Sequence, residues 1–396
     1  MHAYASFRSH DFRFLLTGNF LSSFGLQMLS VAVSWDLYLK TRSALVLGNV
    51  GFVQVAPFLI FALLAGNLAD RHDRRKIMLV TQVLFLAASA LLVTLPRSVS
   101  LIYACLFLTA LARAFQWPAR SAMLPHTVPP DGLQNAITWA SSAQEIASVS
   151  GPALAGILLA AAGSVAVYIV QLACAFGAFG CYLLLRYRGA PERPLPVSRR
   201  SIAEGLRFVW TDKLICSALS LDLFAVLFGG ATALLPIFAV DILHAGARGL
   251  GWLRAAPSIG AVSMALLQTH LPRARSAGRL LLASVAAFGG ATVVFGLSHS
   301  LWLSLFMLAL TGAFDNISVV LRQSLVQTET PDRLRGRVLA VNSIFISCSN
   351  QLGAVESGWT AAWFGAIPSV AGGGIATVLV VAGFAVGSRA LLDWRR

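Results

Sequence analysis

Two apolar runs, 44–64 and 77–95, are parted by one short polar segment, Gly66-Asn-Leu-Ala-Asp70-Arg71-His-Asp-Arg74-Arg75-Lys76, and the rest of the chain repeats that alternation. A run of about 20 apolar residues crosses a hydrocarbon core of roughly 30 Å as a helix. Lipid offers peptide groups no hydrogen-bond partner, so a chain made of such runs must satisfy its backbone internally, one helix at a time. The 396 residues are 57% hydrophobic and only 12% charged, too little charge to cover a water-soluble protein of this length. The sequence therefore predicts an all-α polytopic membrane protein.

The runs number twelve, near 13–35, 44–68, 77–95, 100–124, 133–161, 164–186, 213–240, 248–270, 280–298, 300–326, 337–361 and 367–390. Twelve transmembrane helices leave both ends on one side, and Lys and Arg choose that side. Of the 30 cations, 22 fall in the tails and even-numbered connections and 4 in the odd-numbered ones. Both termini are then cytoplasmic, in the cell inner (cytoplasmic) membrane. The net charge of +14 is spread through these turns, so it reads as orientation and contact with anionic lipid, and no nucleic acid is expected as a partner. Arg8, His10, Asp11 and Arg13 precede the first run without a cleavage site, so a retained first helix is expected.

The longest connection divides the chain near its midpoint. Residues 1–186 are expected to form an N-terminal six-helix bundle and 213–396 a C-terminal six-helix bundle. Between them, 187–212 is a cytoplasmic linker, with Pro191, Pro194 and Pro196 followed by a short amphipathic helix whose apolar side is Ile202, Leu206, Val209 and Trp210. The halves repeat. Arg113-Ala-Phe-Gln-Trp-Pro-Ala-Arg120 matches Asp315-Asn-Ile-Ser-Val-Val-Leu-Arg322 at an offset of 202, and Pro129-Pro-Asp131 is echoed by Pro331-Asp332. Two six-helix repeats joined by a long inner loop are the plan of a rocking transporter.

The basic turn carries more than charge. Ala65, Gly66 and Ala69 are small enough to let the flanking helices approach closely. Asp70 is placed to accept bonds from orphan amides at the start of a neighbouring helix. A loop that only set topology would need the cations but no carboxylate at fixed spacing. Gly66, Asp70, Arg71 and Arg74 are therefore read as a gating element. The second copy, Leu271-Pro-Arg273-Ala-Arg275-Ser-Ala-Gly-Arg279, keeps the charge and lacks the aspartate.

Six ionisable residues fall inside spans or at their edges: Arg113, Glu145, Asp222, Asp315, Arg322 and Glu356. Burying such groups costs several kcal/mol unless they are paired or wet, so each is a functional candidate. Arg113, Glu145, Asp222 and Asp315 are the expected proton-coupling residues, with Glu145 as the partner of Arg113. Arg322 is expected in the substrate cleft. Arg120, near a span end, is expected only to snorkel, and Glu356 and Asp36 to be structural. Arg113 and Arg120 are seven apart, as are Asp315 and Arg322, so each pair shares a helix face at about 10 Å along the axis, too far for a direct ion pair. Gln54, Gln116, Asn342 and Asn350, with Phe52, Phe115, Trp139, Phe224 and Phe345, are expected at span centres, and Gly151-Pro152 to bend span five beside the path. Of these, Gln54, Gln116, Trp139, Gly151, Pro152, Asn342 and Asn350 are expected to line the substrate cleft with Arg322. Ordinary packing is the plainer reading of any one of these aromatics. Together they suit a cargo with both apolar and polar surface.

The turn at Gly66–Lys76 resembles the signature between helices two and three of the major facilitator superfamily, with Asp73 where glycine is usual. Arg113-Ala-Phe-Gln116 resembles that superfamily's fourth-helix motif, with Trp117 where glycine is usual. Gly151-Pro152-Ala-Leu-Ala-Gly156 resembles the span-five motif of proton-driven antiporters, Ala155 replacing one glycine. Leu325-Val-Gln-Thr-Glu-Thr-Pro331-Asp-Arg-Leu-Arg-Gly336-Arg337-Val looks like the branch that holds enterobactin and macrolide exporters. The resemblance covers essentially the whole chain. It implies alternating access coupled to protons, with efflux of amphipathic small molecules such as a drug or a siderophore. An importer or uniporter of a small polar solute with the same fold is the alternative, and the direction of movement under an imposed pH gradient separates the two.

All five cysteines lie in expected spans, there is no CxxC or HExxH, and no histidines pair at ligand spacing, so neither metal nor cofactor is expected. No nucleophile and base stand at workable spacing either, which argues against an enzyme. The expected partners are a small-molecule substrate, protons and the lipid bilayer, around a monomer.

Overall fold

The computed structural model describes residues 4–187, 199–270 and 276–394; within these, the side chains of 5, 62, 63, 67, 69, 70, 199–203, 205, 333 and 340 lie outside the description. A 3-10 turn (Ala5–Arg8) leads into α1 (His10–Thr41), α2 (Ala44–Arg71), α3 (Arg74–Thr94), α4 (Val99–Met123) and the long α5 (Leu133–Leu183). After α6 (Arg199–Thr211) come α7 (Lys213–Phe228), the one-turn α8 (Leu235–Ile237), α9 (Gly246–Gln268) and α10 (Ala277–Leu297). The chain closes with α11 (Leu301–Glu329), α12 (Asp332–Phe364), α13 (Ala366–Gly387) and the short α14 (Arg389–Leu392).

Eleven helical stretches among the described residues are long and apolar enough to cross a membrane. One of them, Pro130–Leu183, has 54 residues and at about 1.5 Å per residue is more than twice as long as a hydrocarbon core is thick. Gly163 breaks it with φ 76° and ψ 179°, backbone that a residue without Cβ adopts freely. The two legs restore the twelve crossings expected from the sequence.

Polar residues at the helix starts capture orphan amides. Asp212 accepts from the amides of Leu214 and Ile215 at 2.9 Å each, and Ser98 from that of Leu101 at 3.2 Å. Span seven, expected to run unbroken over 213–240, is interrupted. α7 stops at Gly229, a 3-10 turn covers Ala231–Leu234, and a π turn at Phe238–Ile242 follows α8. The pair Gly229-Gly230 favours no helix, and Pro236 is accommodated where its missing amide is not needed.

Contacts group the chain into two compact units, one of Met1–Lys40 with Val53–Pro196, the other of Thr41–Phe52 with Val197–Arg396. In the first, α3 packs on α4 and α5 around Leu15, Met78, Ala119, Met123 and Tyr182. In the second, α11 packs on α9 and α10, α10 on α13, and α12 on α7 and α6. A Cβ at Gly312 would strike the carbonyl of Pro257, and one at Gly260 that of Ala309, so α9 and α11 meet backbone to backbone as membrane helices do at small residues. The opening turns of α2 belong to this second unit. Gly48 lies against Gly358, Asn49 accepts from the Trp359 indole at 3.2 Å, and Arg42 pairs with Asp241 at 2.9 Å.

The linker carries the short amphipathic helix α6. Val209 is buried in the second unit's core with Phe208 beside it, while Trp210 is 65% exposed. Glu204 pairs with Arg337 of α12 and ties α6 to that unit. Ile202's side chain and the prolines at 191, 194 and 196 lie outside the described residues.

Candidate functional site

The turn between α2 and α3 is fastened to the helix ends around it. Asp73, which took the place of a glycine in the sequence pattern, caps α3 by accepting from the Arg75 amide at 2.9 Å. Arg74 donates to the Ala122 carbonyl at 3.0 Å, and Arg75 to those of Tyr182, at 3.0 Å, and Leu183. These carbonyls close α4 and α5, where helices have acceptors to spare and a negative dipole end. Arg71 is exposed, and the side chains of Ala69 and Asp70 lie outside the described residues. Gly66 does not provide the close approach expected of it, since a Cβ there would meet nothing within 4 Å; Ala65, 1% exposed, makes the packing contact instead.

Inside the first unit, amides and hydroxyls from α1, α3, α4 and α5 bond to one another. Tyr182 donates to Asn19 at 3.0 Å, Gln116 to Gln82 at 3.3 Å, and Gln82 to the Ala175 carbonyl at 3.1 Å. Beside them Ser23 donates to Gln144 at 2.8 Å, and Gln27 to Ser148 at 3.2 Å. Arg120 donates to Ser23 at 3.3 Å and to Gln144 at 3.4 Å, so it is held by neutral oxygens of α1 and α5 and does not snorkel. Gln116, expected in the cleft, is buried and committed to Gln82. Gly151 and Pro152 are buried too. Gly151 accommodates Gln27 and the Phe24 carbonyl of α1, so the motif is a packing contact between α1 and α5, and Pro152 lies inside the helix.

Trp139 also departs from expectation. It stacks on Tyr4 at 5.7 Å and meets Phe7 edge-on at 5.0 Å, near the start of α5 beside the N-terminal turn and away from any span centre. Arg113 and Glu145 are both exposed on the first unit, and among the described residues no ion pair joins them. Gln54 is half-buried on α2. Toward the opposite end of α1, Asp36 accepts from the Tyr168 hydroxyl at 2.9 Å and pairs with Arg97 at 3.6 Å, pinning α1, the α3–α4 connection and the second leg of α5 together.

The second unit holds the direct charge pair. Asp222 of α7 and Arg322 of α11 are joined with the guanidinium 2% and the carboxylate 9% exposed. Sequence spacing treated them separately, Asp222 as a coupling residue and Arg322 as a cleft residue, because the contact depends on which face of α7 meets α11. Asp315, two turns before Arg322, lines with Asp222 a cavity of about 10 Å³ that Val285, Phe288, Phe314 and Ser318 complete. Asn342 is buried with its carbonyl oxygen unpartnered, whereas Asn350 is exposed and returns its amide to the Ile346 carbonyl at 2.8 Å. Phe345 packs against the second core and Phe115 against the first. Phe224 lines a larger cavity, about 480 Å³, with Phe228, Val380 and Phe384. The one available signal for the charge pair was the repeat itself. Arg120 and Arg322 are equivalent at the offset of 202, and each reaches the first membrane-spanning helix of its own sequence repeat, through Ser23 on α1 and Asp222 on α7.

A helical membrane protein in two units, with ionisable side chains held between its helices, is built as a carrier: lipid makes such groups expensive wherever they do no work. A family model described as a transmembrane secretion effector matches residues 1–394, and the chain belongs to this family of major facilitator transporters. It is 27% identical over 376 residues to the enterobactin exporter EntS of Citrobacter koseri, covering 93% of this chain and 89% of the relative. It is 28% identical over 351 residues to the multidrug efflux pump Tap of Mycolicibacterium fortuitum, covering 83% of each. Among solved structures, a bacterial homologue of the lysosomal transporter Spinster in an inward-facing, unoccupied conformation matches with TM-score 0.74 and 15% identity, over 99% of this chain and 97% of that one. A POT peptide transporter matches with TM-score 0.78 and 11% identity, over 98% and 96%. At those identities the likeness is one of fold. The chain is a multi-pass secondary transporter, not an enzyme.

Proposed function

We propose that the chain is a proton-coupled exporter of amphipathic small molecules, drugs or siderophores, working by alternating access. The observation that carries the reading is that relatives aligned along most of the chain are named as exporters, one of a siderophore and one of many drugs. Proton coupling is supported by the ionisable set in the second unit, Asp222, Asp315 and Arg322, where lipid would select against charge that had no task. Arg113 and Glu145, exposed on the first unit, join that coupling set, and Gln54, Asn342 and Asn350 contribute polar contacts to the cargo. Gly66, Asp70, Arg71 and Arg74 form the gate. The distribution of Lys and Arg supports both ends lying on the cytoplasmic side of the inner membrane, where the chain would act as a monomer.

The test is transport by the purified protein in liposomes under an imposed pH gradient, with a panel of drugs, siderophores, sugars and amino acids. Saturable, gradient-driven movement of the amphipathic compounds is expected. Tight binding of a sugar or amino acid, with no response to amphipathic compounds, would overturn the cargo. Movement indifferent to the gradient would overturn the coupling.

A further inference from the structure

A groove of about 480 Å³ runs between α7 and α13, and every residue that lines it belongs to the second unit. The two helices are tied near both of its ends. At one end Ser388 donates to Ser217 at 3.0 Å, and toward the other Thr377 donates to the Ala225 carbonyl at 3.4 Å. Phe224 and Phe228 of α7 and Val380 and Phe384 of α13 supply the walls. Gly383 and Gly387, one turn apart on α13, keep it open, since a Cβ on either would meet nothing within 4 Å. At about 1.5 Å per residue, the stretch from Ser217 to Phe228 is roughly 16 Å long, half the roughly 30 Å of a hydrocarbon core. It starts where the α7 span begins and the α13 span ends, so the groove descends from the membrane surface to the midplane, the depth of one leaflet.

The polar groups inside the groove are already spent. Ser217 donates to the Lys213 carbonyl at 2.7 Å and Ser388 donates to Ser217, so neither hydroxyl has a proton to offer a ligand. A site for a polar cargo sets a few free donors and acceptors among its apolar walls, and this one sets none. Charge gathers at the surface end instead. Lys213 lies one turn before Ser217 and Arg389 directly follows Ser388; both are exposed, and among the described residues neither enters an ion pair. No carboxylate lines the groove. Asp212, beside Lys213, is committed to the amides of Leu214 and Ile215, and Asp393, one turn past Arg389, bonds it through the backbone at 3.0 Å. We infer that the groove holds one acyl chain of an anionic phospholipid whose headgroup rests on Lys213 and Arg389. The aromatic and aliphatic walls take the chain over the depth of its own leaflet, and the two cations meet the phosphate where the leaflet ends. A lipid held in this way bridges the first and last spans of the second sequence repeat.

The experiment uses the full chain in phosphatidylcholine vesicles containing a small fraction of phosphatidylglycerol that carries a diazirine midway along one acyl chain. Cross-links formed on illumination are mapped to residues by mass spectrometry. They are expected to concentrate on Phe224, Val380 and Phe384 and to be sparse on the exposed Leu379 and Val386. The same diazirine carried by phosphatidylcholine should label the groove several-fold less. Lys213→Ala and Arg389→Ala should each lower groove labelling by phosphatidylglycerol about fivefold, the equivalent of about 1 kcal/mol for one cation at an anionic surface. Gly383→Leu sends its side chain into open space, so the fold is kept while the groove is filled, and labelling by both lipids should be lost there alone. Equal labelling of the groove by the two lipids would overturn the anionic headgroup. Labelling spread evenly over Leu379 and Val386, or left unchanged by Gly383→Leu, would overturn the site. Loss of the label on adding a drug or a siderophore would make cargo, not lipid, the occupant.

Discussion

Asp73 and Arg322 show how single residues acquire their work from neighbours. Asp73 caps α3, and Asp73→Ala should lower stability by about 1 kcal/mol, the usual worth of an N-cap, read as a fall in the unfolding midpoint in detergent. Asp73→Asn keeps an acceptor and should fall much less. At the buried pair, Arg322→Leu leaves the Asp222 carboxylate without its cation and should destabilise by about 3–5 kcal/mol. Adding Asp222→Leu should recover most of that loss, because two well-packed apolar groups suit the site as well as the ion pair does. A double-mutant cycle on thermal unfolding measures both effects, and two losses that simply add would show that the side chains do not interact.

At the scale of elements, small residues decide where helices meet. α9 and α11 touch where Gly260 and Gly312 have no side chain, and any Cβ at Gly312 collides with the Pro257 carbonyl. Gly312→Val should therefore force the two helices apart and leave the protein aggregated on size exclusion, whereas Gly290→Ala on α10, with open space around it, should behave as wild type. The helices were legible as apolar runs, and so was their number, because span length is set by the bilayer. The break after Phe228 was not read, although Gly229, Gly230 and Pro236 were its signal, since hydropathy stays high across it.

For the whole molecule, transport and folding should separate by mutation. Asp70→Asn and Arg71→Ala are expected to lower turnover while purified protein remains monodisperse, since Arg74 and Arg75, which close α4 and α5, are untouched. Normal rates in both variants would remove the turn from the gate. Arg113→Lys keeps the charge and loses the planar fork, and transport should shift its pH dependence. An unchanged profile would mean that Arg113 takes no part in coupling.

Class, span number, repeat and family were set by the sequence alone, because lipid imposes one rule on every crossing segment and the rule is written in composition. Which polar residues face one another was decided only in the tertiary structure. Gln116 and Arg120 are one turn apart on α4, yet one bonds to Gln82 on α3 and the other to Ser23 on α1 and Gln144 on α5. Gly151 and Trp139, both expected in the cleft, turned out to hold α1 and the N-terminal turn against α5. In a bilayer every helix face is apolar enough to be buried, so periodicity does not tell inside from outside, and the partners of a charge are known only once helix rotation and close approach are fixed by packing.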